Sequence, residues 1–166
     1  MPHHREEKRV VKCLVITISD TREVETDKSG DLIQKYLEEN GHEVIERKII
    51  PDEALLIKQA IEEGSSQENI DVILTSGGTG ISRRDVTIET VEKMFDKHIT
   101  GFGELFRMLS YTEDIGAAAI MSRATGGVVN DTGVFSMPGS SGAVKLAMEK
   151  LIIPEISHVV FELNKH

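Results

Sequence analysis

The sequence predicts an α/β fold with a mostly parallel central sheet, and three observations carry that expectation. Short runs rich in Val and Ile read as strands buried on both faces, and they alternate with segments whose apolar residues recur at helical spacing. The three early strands end in polar, turn-forming dipeptides, Ser19-Asp20, Pro51-Asp52 and Ser76-Gly77, which such a fold gathers along one rim of its sheet. The length of 166 residues suits one domain with one substantial core.

Taken in order, residues 1–9 are polar and expected to be loose, so the domain is drawn over 10–166. Val10 to Ser19 is nearly continuously apolar, as a central parallel strand should be. Ser29 to Asn40 carries Leu32, Ile33, Tyr36 and Leu37 at helical spacing, and Gly41 stands where a helix stops. Glu43 to Ile50 reads as a second strand ended by Pro51-Asp52. Asp52 would cap a helix bearing Leu55, Leu56, Ala60 and Ile61 and stopping near Gly64. Asp71 to Thr75 is the third strand. A helix opens at Thr87 with Ile88, Val91, Met94 and Phe95 on one face, and Phe102–Tyr111 and Ile115–Met121 read as further helices. Two short strands, Gly127–Asn130 and Val134–Met137, flank a turn at Asp131-Thr132-Gly133. Gly142–Leu151 and Ile156–Leu163 close the chain as helices.

A net charge of −9 argues against a general nucleic-acid binder and against docking on anionic membranes. An acidic protein that binds phosphates must do so locally. The single cysteine, Cys13, permits no intrachain disulfide, and its apolar strand suggests an inert thiol. A charged N-terminus and the lack of a long apolar run lead to the expectation of a cytoplasmic protein. His3, His4, His42, His98, His158 and His166 are scattered without ligand spacing, so no zinc site is expected.

The most informative stretch is Ser76-Gly77-Gly78-Thr79-Gly80, a glycine loop directly after a strand and followed by Arg84-Asp85. Glycines let backbone N–H groups approach an anion closely. No Gly-Lys-Ser/Thr follows, so the loop is not a P-loop, and the spacing misses the dinucleotide fingerprint. Asp85 can be a helix cap or a metal-holding carboxylate, and the same choice stands for Asp52. Two carboxylates beside an anion loop would repel phosphates, a conflict that a divalent cation such as Mg²⁺ between them removes. Glu104 and Arg107 share a helix face behind Gly101 and Gly103, as a surface ion pair or as a face toward a ligand or subunit. Ser122-Arg123 offers a further anion contact. Pro138-Gly139-Ser140-Ser141 precedes a helix, as a rigid turn with a cap or as a second anion site.

These segments resemble the MoaB/Mog family of molybdenum cofactor biosynthesis proteins. The matching pieces are Ser19-Asp20 with Ser29-Gly30, Pro51-Asp52, Thr75 to Gly80 with Arg84-Asp85-Val86-Thr87, Gly101 to Arg107, Ser122-Arg123, and Met137-Pro138-Gly139-Ser140. They run in family order over roughly residues 10 to 160, and the length is similar to that of the stand-alone bacterial MoaB form. The resemblance implies a three-layer α/β/α sandwich, binding of molybdopterin, and its adenylylation by MgATP with release of pyrophosphate. It implies a homotrimer or homohexamer and dealings with other molybdenum cofactor biosynthesis proteins. The family's critical aspartates match Asp52 and Asp85. Bottom-up, the nucleophile of such a reaction is an ionised phosphate oxygen, so both aspartates are assigned to holding Mg²⁺ and positioning substrate rather than to proton abstraction. The competing readings are a catalytically inactive molybdopterin carrier of the same fold, an unrelated hydrolase, which should show a nucleophile or base motif, and a purely structural oligomer.

Overall fold

The computed structural model describes residues 9–165. The expectation of a loose 1–9 segment, with His3 and His4, lies outside the described residues except for Arg9, as does His166.

Six strands form one sheet: β1 (Lys12–Ile18), β2 (Glu43–Ile50), β3 (Val72–Ser76), β4 (Lys97–His98), β5 (Thr125–Val129) and β6 (Thr132–Met137). Their order is β2-β1-β3-β6-β5-β4. The four strands β2, β1, β3 and β6 run parallel, while β5 and β4 complete the sheet antiparallel to their neighbours. Helices α1 (Lys28–Glu39), α2 (Ala54–Ser65), α3 (Thr87–Glu92), α4 (Thr100–Glu113), α5 (Ser141–Ala147) and α6 (Ile153–Leu163) cover it.

The three layers follow from the two-residue period of a strand. On one face Cys13, Val15, Val72, Leu74, Phe135 and Met137 pack against α1, α4, α5 and α6 through Ile33, Leu37, Phe106, Val144 and Ile156. On the other, Leu14, Ile16, Ile18, Ile73 and Val134 meet α2 and α3 through Ile57, Ala60, Ile61 and Val91. Cys13 is fully buried, and burial raises its thiol far above the ordinary range, which keeps it protonated and inert. Two core-facing phenyl rings, Phe102 and Phe135, meet edge-on with centroids 5.0 Å apart.

Several local expectations are corrected. Asp52 caps nothing: the residue before α2 is Glu53, which makes no side-chain cap. α2 ends at Ser65, next to Gly64 as expected, but Gly64 is still helical and is there for packing; a Cβ on it would stand 2.6 Å from Leu14 Cδ2 and 3.0 Å from Ile73 Cδ1. The glycine is needed for close helix–sheet approach. The hairpin turn falls on Asn130 and Asp131, at φ 50° and 63°, so Thr132 and Gly133 already belong to β6. The short edge strand β4 was not expected; two residues carry no periodicity. The segment Gly116–Met121 is a 3₁₀ turn rather than an α-helix. The two closing helices join through a π turn at Met148–Ile152, in which the Ile153 N–H bonds the Met148 carbonyl.

Candidate functional site

Strand order places the site. β1 lies between β2 and β3, so the chain leaves β1 in one direction and returns past it in the other, and a crevice opens at that reversal outside the carboxyl ends. Four adjacent parallel strands deliver four segments there: Ser19-Asp20 after β1, Pro51-Asp52 after β2, Gly77–Gly80 after β3 and Pro138–Ser140 after β6. Backbone bonds tie them together, from Ser19 N–H to the Ile50 carbonyl at 2.9 Å and from Gly77 N–H to the Met137 carbonyl at 3.0 Å.

The glycine loop is built for close approach. Gly77 and Gly78 adopt φ of 98° and 67°, which L side chains rarely take. A Cβ on Gly78 would stand 2.9 Å from Asp52 Oδ1, and one on Gly80 would stand 2.7 Å from Asp85 Oδ2. Both aspartates therefore sit directly against the loop. Among the described residues, the N–H groups of Gly78, Thr79 and Gly80 donate to no partner. The loop is held from behind instead. Thr87 N–H bonds the Gly78 carbonyl at 3.1 Å. The Arg123 guanidinium bonds the carbonyls of Thr79 at 3.0 Å and Gly80 at 2.6 Å, and it pairs with Glu89, whose carboxyl it holds below the usual range. Arg123, read from sequence as an anion contact, is thus a clamp on the loop.

The aspartates divide the work differently from ordinary caps. Asp85 Oδ2 accepts from Ser82 N–H at 3.0 Å and Ser82 Oγ at 2.6 Å, closing its own turn, while the residue before α3 is Val86. Asp20 Oδ1 accepts the Asp52 N–H at 3.0 Å, and Asp20 Oδ2 receives both Arg84 Nε at 3.1 Å and Arg84 Nη2 at 2.6 Å. The Asp52 N–H and then Arg84 hold the Asp20 carboxyl below its ordinary value. Asp52 moves the other way: burial, then the negative charges of Asp20 and Asp85, push its carboxyl up against the opposing pull of Arg84.

Beside the loop lies a cleft of about 420 Å³ lined by Gly78, Thr79, Gly80 and Asp85 on one side and by Ser122, Pro138, Gly139 and Ser140 on the other. Its remaining wall comes from Ser110, Asp114, Ile115, Ala118, Met121, Arg123 and Ala143. Ser140 caps α5, its Oγ accepting from Ala143 N–H at 3.3 Å.

Of the residues singled out in the sequence, Asp85, Gly78, Thr79, Gly80, Ser122, Pro138, Gly139 and Ser140 share this cleft. Ser19, Asp20, Asp52 and Gly77 lie on the adjoining rim. Ser76 is fully buried beneath it, its hydroxyl 3.0 Å from that of Ser29, and Ser141 is exposed in the first turn of α5. Glu104 and Arg107, on α4, are not among the residues that line the cleft. Glu104 is exposed, and Arg107 turns to the Ala124 carbonyl at 3.5 Å rather than to Glu104. The apolar wall at Ile115, Ala118 and Met121 escaped the sequence reading because it resembles any amphipathic turn. Arg84 was read only as part of a motif, since its partner Asp20 lies 64 residues away. Asp27 was passed over although an aspartate ahead of Ser29-Gly30 is a helix-start signal; buried, it caps α1 at Gly30 N–H and pairs with Arg47 at 2.6 Å.

A rim of this kind, with a glycine loop and paired carboxylates at the switch point of an open sheet, belongs to the class of α/β proteins built to take a ligand outside the carboxyl ends of their strands. The particular family is shown by comparison: residues 14–158 match the model of the probable molybdopterin binding domain of molybdenum cofactor biosynthesis proteins. The chain belongs to that family. It is similar to the molybdenum cofactor biosynthesis protein B of Bacillus subtilis, with 58% identity over 98% of this chain and 96% of the relative. The protein of the same name from Bacillus cereus is 55% identical over the same shares. A crystal structure of a molybdenum cofactor biosynthesis protein B superposes with a TM-score of 0.93 at 56% identity, covering 95% of this chain and 98% of that one. The tungsten cofactor synthesizing protein MoaB from Pyrococcus furiosus superposes with a TM-score of 0.84 at 40% identity, covering 95% and 99%. Among the described residues, no helix is long and apolar enough to cross a membrane.

Proposed function

We propose that the protein acts in molybdenum cofactor biosynthesis by binding molybdopterin and adenylylating it with ATP. The observation that carries this reading is the glycine loop, whose free amides at Gly78, Thr79 and Gly80 share a cleft with Asp85 and abut Asp52. An oxygen of the terminal phosphate of molybdopterin attacks the α-phosphorus of ATP. A new P–O bond forms as the bond from that phosphorus to the bridging oxygen breaks, and the electron pair leaves with pyrophosphate. The nucleophile is largely ionised at neutral pH, so no strong base is required. The protein's task is to place two polyanions in line and offset their charge. The loop amides hold phosphate oxygens, the cleft wall at Ile115, Ala118 and Met121 covers apolar ligand surface, and Ser122 and Ser140 offer hydroxyls.

The site also fits Mg²⁺. Asp20, Asp52 and Asp85 bring mutually repelling hard oxygen donors together, which adds to the upward push of burial on Asp52. Among the described residues no three His, Cys, Asp or Glu side chains form a complete metal cage. An ion there would be held by one or two carboxylates together with substrate phosphates and water. Asp52 and Asp85 would hold it, and when bound it supplies positive charge against the phosphates. A cytoplasmic homo-oligomer that passes its product to another protein of the same biosynthesis completes the reading.

Incubating the protein with molybdopterin, ATP and Mg²⁺ tests it. Adenylylated pterin and stoichiometric pyrophosphate are expected. Pterin bound without either product would make the protein a carrier, and no pterin binding would overturn the assignment of the cleft.

A further inference from the structure

Two arginines flank the glycine loop, and the structure gives them opposite degrees of freedom. Arg123 is committed three ways, to the Thr79 and Gly80 carbonyls and to Glu89, with about a quarter of its side chain exposed. Among the described residues Arg84 bonds Asp20 alone, and its side chain is 62% exposed. It stands one residue before Asp85, while its partner accepts the Asp52 N–H. Three carboxylates crowd this rim, and Arg84 is the cation placed among them. An exposed ion pair of this kind is held weakly and exchanges readily. A guanidinium fork matches phosphate as well as carboxylate.

We propose that Arg84 is an exchangeable counter-ion: it offsets part of the negative charge of Asp20, Asp52 and Asp85 while no cation is bound, and it turns from Asp20 to a phosphate oxygen of the nucleotide when a divalent cation is held at Asp52 and Asp85. The inference rests on the metal–nucleotide reading of the site and adds a positioning and binding role for Arg84. It makes two opposite demands on one side chain. Removing the guanidinium should strengthen binding of a bare divalent cation, because the rim loses its internal competitor. It should also weaken binding of the nucleotide, because one phosphate contact is lost.

The test uses the full chain with Mn²⁺ alone, followed by electron paramagnetic resonance, and with MgATP, followed by calorimetry. Arg84→Gln should bind Mn²⁺ several-fold more tightly than the wild type. The same variant should bind MgATP roughly tenfold more weakly, the worth of one charge-assisted hydrogen bond. Arg84→Lys, which keeps the charge and loses the fork, should leave Mn²⁺ binding near wild type and still weaken MgATP. Arg83→Gln removes a neighbouring exposed charge and should change both by less. Circular dichroism and thermal melts check that each variant is folded. If Arg84→Gln leaves Mn²⁺ affinity unchanged or lower, or leaves MgATP affinity unchanged, while the wild type binds both, the counter-ion role is overturned and the metal–nucleotide reading survives. A wild type that binds MgATP but no Mn²⁺ alone also overturns the counter-ion role, and one that binds neither overturns both.

Discussion

Asp52 and Asp85 begin helices in the sequence pattern yet cap none in the fold, and this separates them from Asp27, which does cap one. Asp85→Ala should leave the protein folded, costing about 1 kcal/mol for the lost Ser82 contacts. The same variant should slow adenylyl transfer about a hundredfold or more if the carboxylate holds a cation against the phosphates. Turnover and melting temperature measured on one preparation check both; near-normal turnover with a lowered melting temperature would return Asp85 to a structural role. Asp27 gives the opposite pattern. Burial pushes its carboxyl upward, but Arg47, the Gly30 N–H and Thr17 outweigh that and leave it below the ordinary range. A depressed carboxylate stabilises the fold above the unfolded pKa of about 3.9, and that stability is lost as pH falls toward the lower folded value. Asp27→Ala should cost about 2 kcal/mol at neutral pH, because it removes the cap of α1 and the buried partner of Arg47, which keeps Asp31 and Gln34. The deficit should shrink below about pH 4; denaturant titrations at several pH values follow it, and a pH-independent loss would contradict the pairing.

Among the elements, two glycines behave differently for reasons of place. Gly64 sits on the inner face of α2, where a methyl group would press on Leu14 and Ile73, so Gly64→Ala should destabilise by roughly 1–3 kcal/mol through overpacking. Its ligand affinity should be unchanged. Gly78 needs φ 67°, and an added Cβ would push on Asp52. Gly78→Ala should therefore cost about 1–2 kcal/mol of backbone strain and also weaken binding of MgATP and of molybdopterin. Calorimetric titration beside denaturant curves separates the two positions, and unchanged affinities in Gly78→Ala would mean that the loop is only a turn.

At the scale of the whole molecule, α4 divides its residues between two tasks. Phe102 and Phe106 are buried in the core, and Leu109 packs against it. The outward residues are Leu105, Met108 and Tyr111, each at least half exposed, with Ile115, Ile120 and Met121 continuing the apolar surface along the 3₁₀ turn. Exposed apolar side chains gathered on one helix and the turn after it suit association. Light scattering should give a multiple of the 18.4 kDa chain, and Met108→Glu should lower the mass toward one chain. A wild-type mass near 18.4 kDa at micromolar concentration would remove the oligomer from the functional reading.

The sequence by itself determined the alternation of strands and helices, the parallel core strands and the segments that meet at the rim, because periodicity and turn chemistry are local properties. Val72–Ser76 followed by the glycine loop was legible for that reason, and the family followed from an ordered set of such local motifs. Only the tertiary structure decided what each rim residue touches. Asp52 looked like a cap because the residues beside it suit one, yet the helix begins after Glu53. Gly64 marked the end of α2 within one residue, but its packing role was hidden because its contact, Leu14, is 50 residues away. Arg84 and Asp20, Arg123 and the loop carbonyls, and Arg47 and Asp27 are pairs across strands or loops. Their energies depend on distance in space, which no spacing along the chain encodes.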